Sequence, residues 1–145
     1  MNDHTVNARE AEEQRQQLRD SVRRYAERDY PFDARTEAFR SPSGFSETQW
    51  QRFAELGWLG IGLPEELGGF GDVADQLVIA EELGRALVIE PWLANCALAG
   101  PLLAECGDVA QRGLVADLIA GRTRLALAAW ERQGRFDAFD VSTRA

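Results

Sequence analysis

Two pairs of adjacent acids, Glu65-Glu66 and Glu81-Glu82, are the obvious candidates for acid–base chemistry in this chain. Paired carboxylates do such work when they face each other across a substrate. Neighbours on a helix point about 100° apart, so these four read as surface and cap groups. Gly68-Gly69-Phe70-Gly71 suggests a phosphate cradle, but that device needs a following lysine and a strand–loop–helix frame. The chain has no lysine; all sixteen basic residues are arginine. A Schiff-base lysine is excluded on the same ground. The one histidine, His4, stands in a polar N-terminal tail, which rules out a Ser-His-Asp triad or a multi-histidine metal site within the chain. Cys96 and Cys106, if on one helix, would lie about 15 Å apart, too far to bridge. They read as buried, reduced thiols.

Composition narrows the class. Of 145 residues, 45% are hydrophobic and 28% charged, with net charge -8. One soluble domain is expected, and the acidic balance argues against a nucleic-acid surface. Residues 1–17 are too polar for a signal peptide. The longest charge-free apolar run, residues 91–104, is too short to span a bilayer and suits a buried helix. Reduced thiols and the lack of a leader point to a cytoplasmic protein.

The elements that must position any site are five predicted helices, so the expected fold class is all-α. The first covers residues 8–28, with a narrow stripe of Leu18, Val22, Tyr25 and Ala26 and a charged face read as solvated. Residues 30–45 read as loop, broken by Pro31 and Pro42. The second helix starts at Ser46, with Gln49 completing a capping-box pattern, and ends at Gly57. Between Gly57 and Gly71 lie six glycines and Pro64, a tight apolar corner. The third helix covers residues 73–87, with Val73, Leu77, Ala80, Gly84 and Leu87 along one face. Gly84 suggests a close helix–helix approach. The fourth, residues 91–106, is apolar nearly all round and is expected to be central, kinked at Gly100-Pro101. Asp108 and Gln111 cap the fifth, which Gly121 ends. Residues 125–130 then form an apolar run with the signature of a buried strand, and residues 140–145 resemble the start of another. Strands without partners suggest a chain cut at a domain boundary, with residues 1–122 as a helical domain and 123–145 as the start of a β-domain.

Several of these residues carry a family likeness. They are Trp50, Leu56-Gly57-Trp58-Leu59-Gly60, Pro64-Glu65-Glu66-Leu67-Gly68-Gly69-Phe70-Gly71, Glu81-Glu82-Leu83-Gly84 and Pro91. Gly107, Gln111, Gly121 and Leu125-Ala126-Leu127-Ala128 follow in the same order and spacing. From about residue 46 onward the chain resembles the N-terminal domain of acyl-CoA dehydrogenases. The segment that opens Thr-Glu-Pro in typical members reads Trp130-Glu131-Arg132 here, and Phe136 replaces their serine. Those positions serve flavin and CoA contacts in the family. Similar departures occur in subunits of the pimeloyl-CoA dehydrogenase small-subunit type, which act beside a sister subunit.

The resemblance implies an FAD enzyme that oxidises the Cα–Cβ bond of an acyl-CoA thioester and passes electrons to an electron-transfer flavoprotein. The family's base usually lies in a C-terminal bundle, so no catalytic residue is assigned here. Ala94, Leu98 and Pro101 fall on one side of the fourth helix and match the acyl-pocket wall; ordinary core packing is the competing reading. Residues Leu127, Ala128, Ala129 and Trp130 could offer backbone groups to the flavin, or form a plain barrel strand. Homo- or hetero-oligomers with other dehydrogenase subunits are implied. A non-catalytic partner subunit is the alternative to a catalytic one. An unpaired strand exposing Leu125, Leu127 and Trp130 would also make the isolated chain self-associate or rearrange its tail.

Overall fold

Helix starts in this chain are fixed by short polar side chains. Asp72 accepts the Asp75 N–H at 3.0 Å while Asp75 accepts the Asp72 N–H at 2.9 Å. This reciprocal box satisfies two of the orphan donors at a helix N-terminus. Asp108 and Gln111 form a second box, at 2.8 and 2.9 Å. At Ser46 only half of the expected box forms. Its hydroxyl accepts the Gln49 N–H at 3.2 Å. The Gln49 side chain instead donates to the Asp29 carbonyl at 3.1 Å and accepts the Tyr25 hydroxyl. The Ser46 N–H turns to Glu90 Oε1, 3.2 Å away. A local cap has been exchanged for tertiary links.

A computed structural model describes residues 3–135, 137 and 139–144, with side chains from residue 8 onward. Among them are α1 (Asp3–Asp29), α2 (Phe32–Phe39), α3 (Glu47–Glu55), α4 (Val73–Arg85), α5 (Gly100–Cys106) and α6 (Val109–Ile119). A 3-10 turn covers Glu65–Leu67, and a π-helical segment covers Leu93–Ala99. The all-α class is the observed one. The helix α1 starts five residues before the expected boundary, and α2 lies inside the expected loop. Pro31 is its N-cap, in extended conformation, so the prolines bracket a short helix instead of abolishing it.

The core is built where α1, α3 and the glycine corner meet. Val22, Trp50, Phe53, Leu59 and Ile79 are fully buried. Tyr25 meets Trp58 edge-on at 5.1 Å, and Phe53 lies 5.2 Å from Trp58. In the corner, the Gly62 N–H donates to the Phe70 carbonyl at 2.7 Å and the Phe70 N–H to Gly60 at 3.1 Å. Gly62 has φ +73, and a Cβ there would stand 2.4 Å from the Gln76 side chain. No other residue fits that position. The Gln76 amide crosses the gap so opened, donating to the carbonyls of Ile61 at 2.8 Å and Cys96 at 2.9 Å. The corner is thereby tied to the π-helical segment.

Helix α4 lies the other way round from its apolar periodicity. Val73, Leu77 and Leu87 are exposed, and the buried face is Gln76, Val78, Ile79, Glu82 and Leu83. Gly84 is exposed, with nothing within 4 Å of its would-be Cβ. It marks no close approach among the described residues. The expected strand over residues 125–130 is also not formed: residues 124–130 take part in no sheet pairing among the described residues. Nor is it buried, since Leu127 and Trp130 are exposed and Leu125 is half-buried. A strand needs a neighbouring edge for its N–H and C=O groups. Here the Leu125 N–H is taken by the buried Asn95 side chain. Residues 140–144 are likewise unpaired in any sheet, and Ala145 lies outside the described residues. No described helix is long and apolar enough to cross a membrane.

Candidate functional site

The expected kink at Gly100-Pro101 is resolved as a change of helix type. Pro101 has no N–H to return to the preceding turn. The chain widens before it, and the Gly100 N–H reaches Asn95, five residues back. A Cβ on Gly100 would stand 2.9 Å from the Asn95 carbonyl and 3.0 Å from Leu118 of α6. The wide turn packs on α6 only because this residue is glycine. Its opposite face is left open. Leu93, Leu98 and Leu102 are 58%, 48% and 46% exposed, and Ala94 and Pro101 are half-buried beside them.

That open face adjoins the unexpected outer face of α4. A cavity of about 240 Å³ joins Ala80 and Gly84 of α4 to Trp92 and Leu93. Val73 and Leu77 of α4, and Leu98 and Leu102 further along the chain, are exposed apolar side chains outside this cavity. Apolar exposure of this kind marks a surface that something covers. Ala94, Leu98 and Pro101 do not line this cavity. Leu127, with Leu125 and Ala126, lines a groove of about 280 Å³ against Ala99, Leu102, Leu103 and Cys106. Ala128, Ala129 and Trp130 are not among its lining residues. Of the seven candidates, Leu127 lines this groove and none lines the cavity beside α4.

An isoalloxazine ring sets the requirement that the flavin candidates must meet. Its polar edge needs hydrogen-bonding partners. Leu127, Ala128 and Ala129 have none in their side chains, and Trp130 stands where the family has a hydroxyl. Glu131, next along, is turned onto its own loop. It accepts the N–H groups of Ser142 at 2.8 Å and Thr143 at 2.9 Å, with Gln133 and the Ser142 hydroxyl adding further bonds. These bonds, that of the Ser142 side chain foremost, hold the Glu131 carboxyl well below the usual range. Phe136, the third departure, lies outside the described residues. The candidacy of residues 127–130 rests on their backbone N–H and C=O groups, which enter no sheet pairing among the described residues.

The acidic pairs separate sharply. Glu65, Glu66 and Glu81 are exposed, as expected of surface groups. Glu82 is not: its side chain is 1% exposed. Arg23 of α1 grips it with both arms of its fork, at 2.7 and 3.1 Å. Arg19 and Arg85 approach at 3.4 and 3.7 Å. The hydrogen bond from Arg23 lowers the Glu82 pKa and outweighs the burial that would raise it. The charged face of α1 is thus a clamp, with Arg15 on Asp72 and Asp75 and Arg19 on Glu81. A signal was present in the sequence: Arg15, Arg19 and Arg23 recur every four residues, opposite an acid-bearing helix. The other buried carboxylate, Glu90, accepts the Tyr30 hydroxyl at 2.7 Å. Burial raises the Tyr30 pKa, so the phenol stays a donor. Both buried acids are committed to structure. Of the cysteines, Cys96 is buried but Cys106 is exposed, contrary to the expectation that both are inside; both are free thiols.

Comparisons with known proteins agree with this geometry. Residues 12–122 match the family model for the acyl-CoA dehydrogenase N-terminal domain. The chain is 31% identical to acyl-CoA dehydrogenase IpdE2 of Mycobacterium tuberculosis, over 90% of this chain and 48% of that protein. It superposes on a variant of the Tcur3481–Tcur3483 steroid ACAD with TM-score 0.77 and 28% identity, covering 84% of this chain and 34% of that one. It also superposes on the ChsE4–ChsE5 complex from Mycobacterium tuberculosis with TM-score 0.70 and 26% identity, covering 77% and 31%. The chain spans about half the length of that curated relative and a third of the solved chains. Over those shared residues, the helices, the glycine corner and the Glu-Glu-Leu-Gly turn of α4 place this chain in the acyl-CoA dehydrogenase family, as its N-terminal domain.

Proposed function

We propose that this chain supplies the helical acyl-side wall of an acyl-CoA dehydrogenase, which oxidises the Cα–Cβ bond of an acyl-CoA thioester to the 2-enoyl-CoA. The observation that carries this reading is the set of exposed apolar side chains on α4 and the π-helical segment, Val73, Leu77, Leu93 and Leu98. Apolar exposure of this kind marks a surface that a partner or ligand covers. The small residues beside them, Ala80, Gly84 and Ala94, leave room for a bulky apolar group. Ala94, Leu98 and Pro101 are the residues that would touch the acyl portion. FAD bound in the assembled enzyme would take the β-hydrogen as hydride, and an electron-transfer flavoprotein is the acceptor this chemistry needs. A cytoplasmic location fits the free thiols.

The chain alone is without turnover in this reading, because the resemblance puts the family's base in a C-terminal bundle and no catalytic residue is assigned among residues 1–145. A second reading is favoured by one observation. Trp130 and Arg132 replace the threonine and proline of typical members beside the flavin. The chain would then be the non-catalytic member of a heteromeric dehydrogenase, a reading that its likeness to the Tcur3481–Tcur3483 steroid ACAD and the ChsE4–ChsE5 complex supports. Co-expression with a flavoprotein dehydrogenase subunit tests both. The first reading expects yellow colour to follow this polypeptide and to bleach with acyl-CoA. The second expects colour only in the sister chain. Turnover by the isolated 145-residue chain would contradict both.

A further inference from the structure

Asn95 lies inside the π-helical segment and is only 1% exposed. Each of its polar groups has a partner. Its N–H donates to the Pro91 carbonyl at 3.1 Å, and its side-chain amide donates to the same carbonyl at 2.7 Å. Its carbonyl accepts the Gly100 N–H across the wide turn. Its side-chain oxygen accepts the Leu125 N–H. A buried amide engaged at both ends cannot rotate without leaving a donor or an acceptor unpaired.

The helix side of this link is rigid. The neighbouring Cys96 carbonyl accepts the Gln76 amide at 2.9 Å, and Gly100 has no room for a Cβ against Leu118. The segment on the other side is held less firmly. Arg124 pairs with Glu47 at 2.7 Å, but both are exposed, and such pairs contribute little. Leu125 is half-buried, and residues 126–128 are exposed. Two residues of extended chain cover about 7 Å, so the backbone from Leu127 onward takes its position from the bond between Asn95 and Leu125. Ala94, on the acyl side, directly precedes Asn95. Resting on the first reading above, with Ala94 at the acyl group and the backbone of residues 127–130 at the flavin, we propose that Asn95 is a positioning residue. It touches neither group, and its amide fixes the separation between them.

Anaerobic stopped-flow mixing of the assembled flavoenzyme with acyl-CoA, following flavin bleaching, tests the proposal. Asn95→Leu keeps the volume and loses both side-chain bonds. Leu125→Pro removes the N–H from the other side and leaves the helix intact. Both should slow bleaching at saturating acyl-CoA roughly tenfold, with half-saturation unchanged within about twofold, because misplaced reacting groups lose rate rather than binding. Asn95→Thr should restore the rate: a helical threonine hydroxyl donates to the carbonyl four residues back and can still accept. Circular dichroism checks folding, and if Asn95→Leu does not fold, Leu125→Pro decides. Variants that bleach at the wild-type rate, a loss confined to half-saturation, or Asn95→Thr no faster than the broken variants would overturn the proposal and leave the proposed function standing. A wild-type enzyme that acyl-CoA does not bleach would overturn the proposed function and this role with it.

Discussion

Arg23 of α1 and Glu82 of α4 form a two-armed ion pair around a carboxylate that is almost wholly out of water. Breaking a buried pair costs about 3–5 kcal/mol. Here the arginine is partly solvated, which lowers the expectation. Glu82→Gln should destabilise the chain by about 2 kcal/mol at neutral pH, whereas Glu81→Gln, on the solvent side of the same helix, should stay within about 0.5 kcal/mol. Thermal melts of the two variants make the comparison.

The same pair has a pH signature. Arg23 lowers the folded-state pKa of Glu82 below its ordinary value of 4.5. The contribution is fully present above that ordinary value and is lost as pH falls through the lowered one. The melting-temperature gap between wild type and Glu82→Gln should therefore be constant near neutrality and close on acidification. A gap independent of pH down to acid unfolding would contradict the assignment.

Two glycines should respond in opposite directions to alanine. Gly62 is held at φ +73 against the Gln76 side chain, so Gly62→Ala should cost roughly 1–3 kcal/mol. Gly84 has open space around it in a helix, so Gly84→Ala should stabilise the isolated chain by about 0.5–1 kcal/mol. Denaturant unfolding of both variants is the measurement. In an assembled enzyme the second gain should shrink or reverse, because the added methyl stands at the cavity that Gly84 lines with Trp92 and Leu93.

Asn95 anchors the segment that leaves the helical body. Its side chain accepts the Leu125 N–H and donates to the Pro91 carbonyl at 2.7 Å. Asn95→Ala leaves both groups without that partner, a cost of about 1–3 kcal/mol. Amide hydrogen exchange should accelerate first at Leu125, ahead of the α3 core. Unchanged exchange at Leu125 would show that the segment is held elsewhere.

The two thiols should be separable. Burial pushes the Cys96 thiol far above its usual range, while Cys106 is exposed. A thiol reagent at neutral pH should label one cysteine in the folded chain and two in denaturant. Cys106→Ser should remove the native-state label.

How far the sequence reveals this arrangement depends on the range of each interaction. The glycine corner, the Asp108–Gln111 box and the buried Trp50 and Trp58 are legible because their signals are local. So is the break before Pro101, although its form, a π-helical turn, follows from Gly100 packing on Leu118. Helix α4 reads inside out because it has two apolar stripes. The choice between them is made by Gln76 and Glu82, whose partners on Ile61, Cys96 and Arg23 lie 15, 20 and 59 residues away. Residues 125–130 read as a strand from composition alone, but pairing is non-local and the Leu125 N–H went to Asn95 instead. The acyl-wall candidates Ala94, Leu98 and Pro101 come from family likeness; the exposure of Val73 and Leu77 on α4 was hidden by the same two-stripe ambiguity.

The central claim is that the exposed apolar side chains of α4 and the π-helical segment meet the acyl group. The most direct measurement is anaerobic titration of the assembled flavoenzyme with acyl-CoA thioesters, following loss of the oxidised flavin band, for wild type and for Ala94→Trp. The account predicts unchanged flavin content, with bleaching by bulky acyl groups lost and bleaching by short ones retained. Identical titrations for the two proteins across all acyl sizes would contradict it.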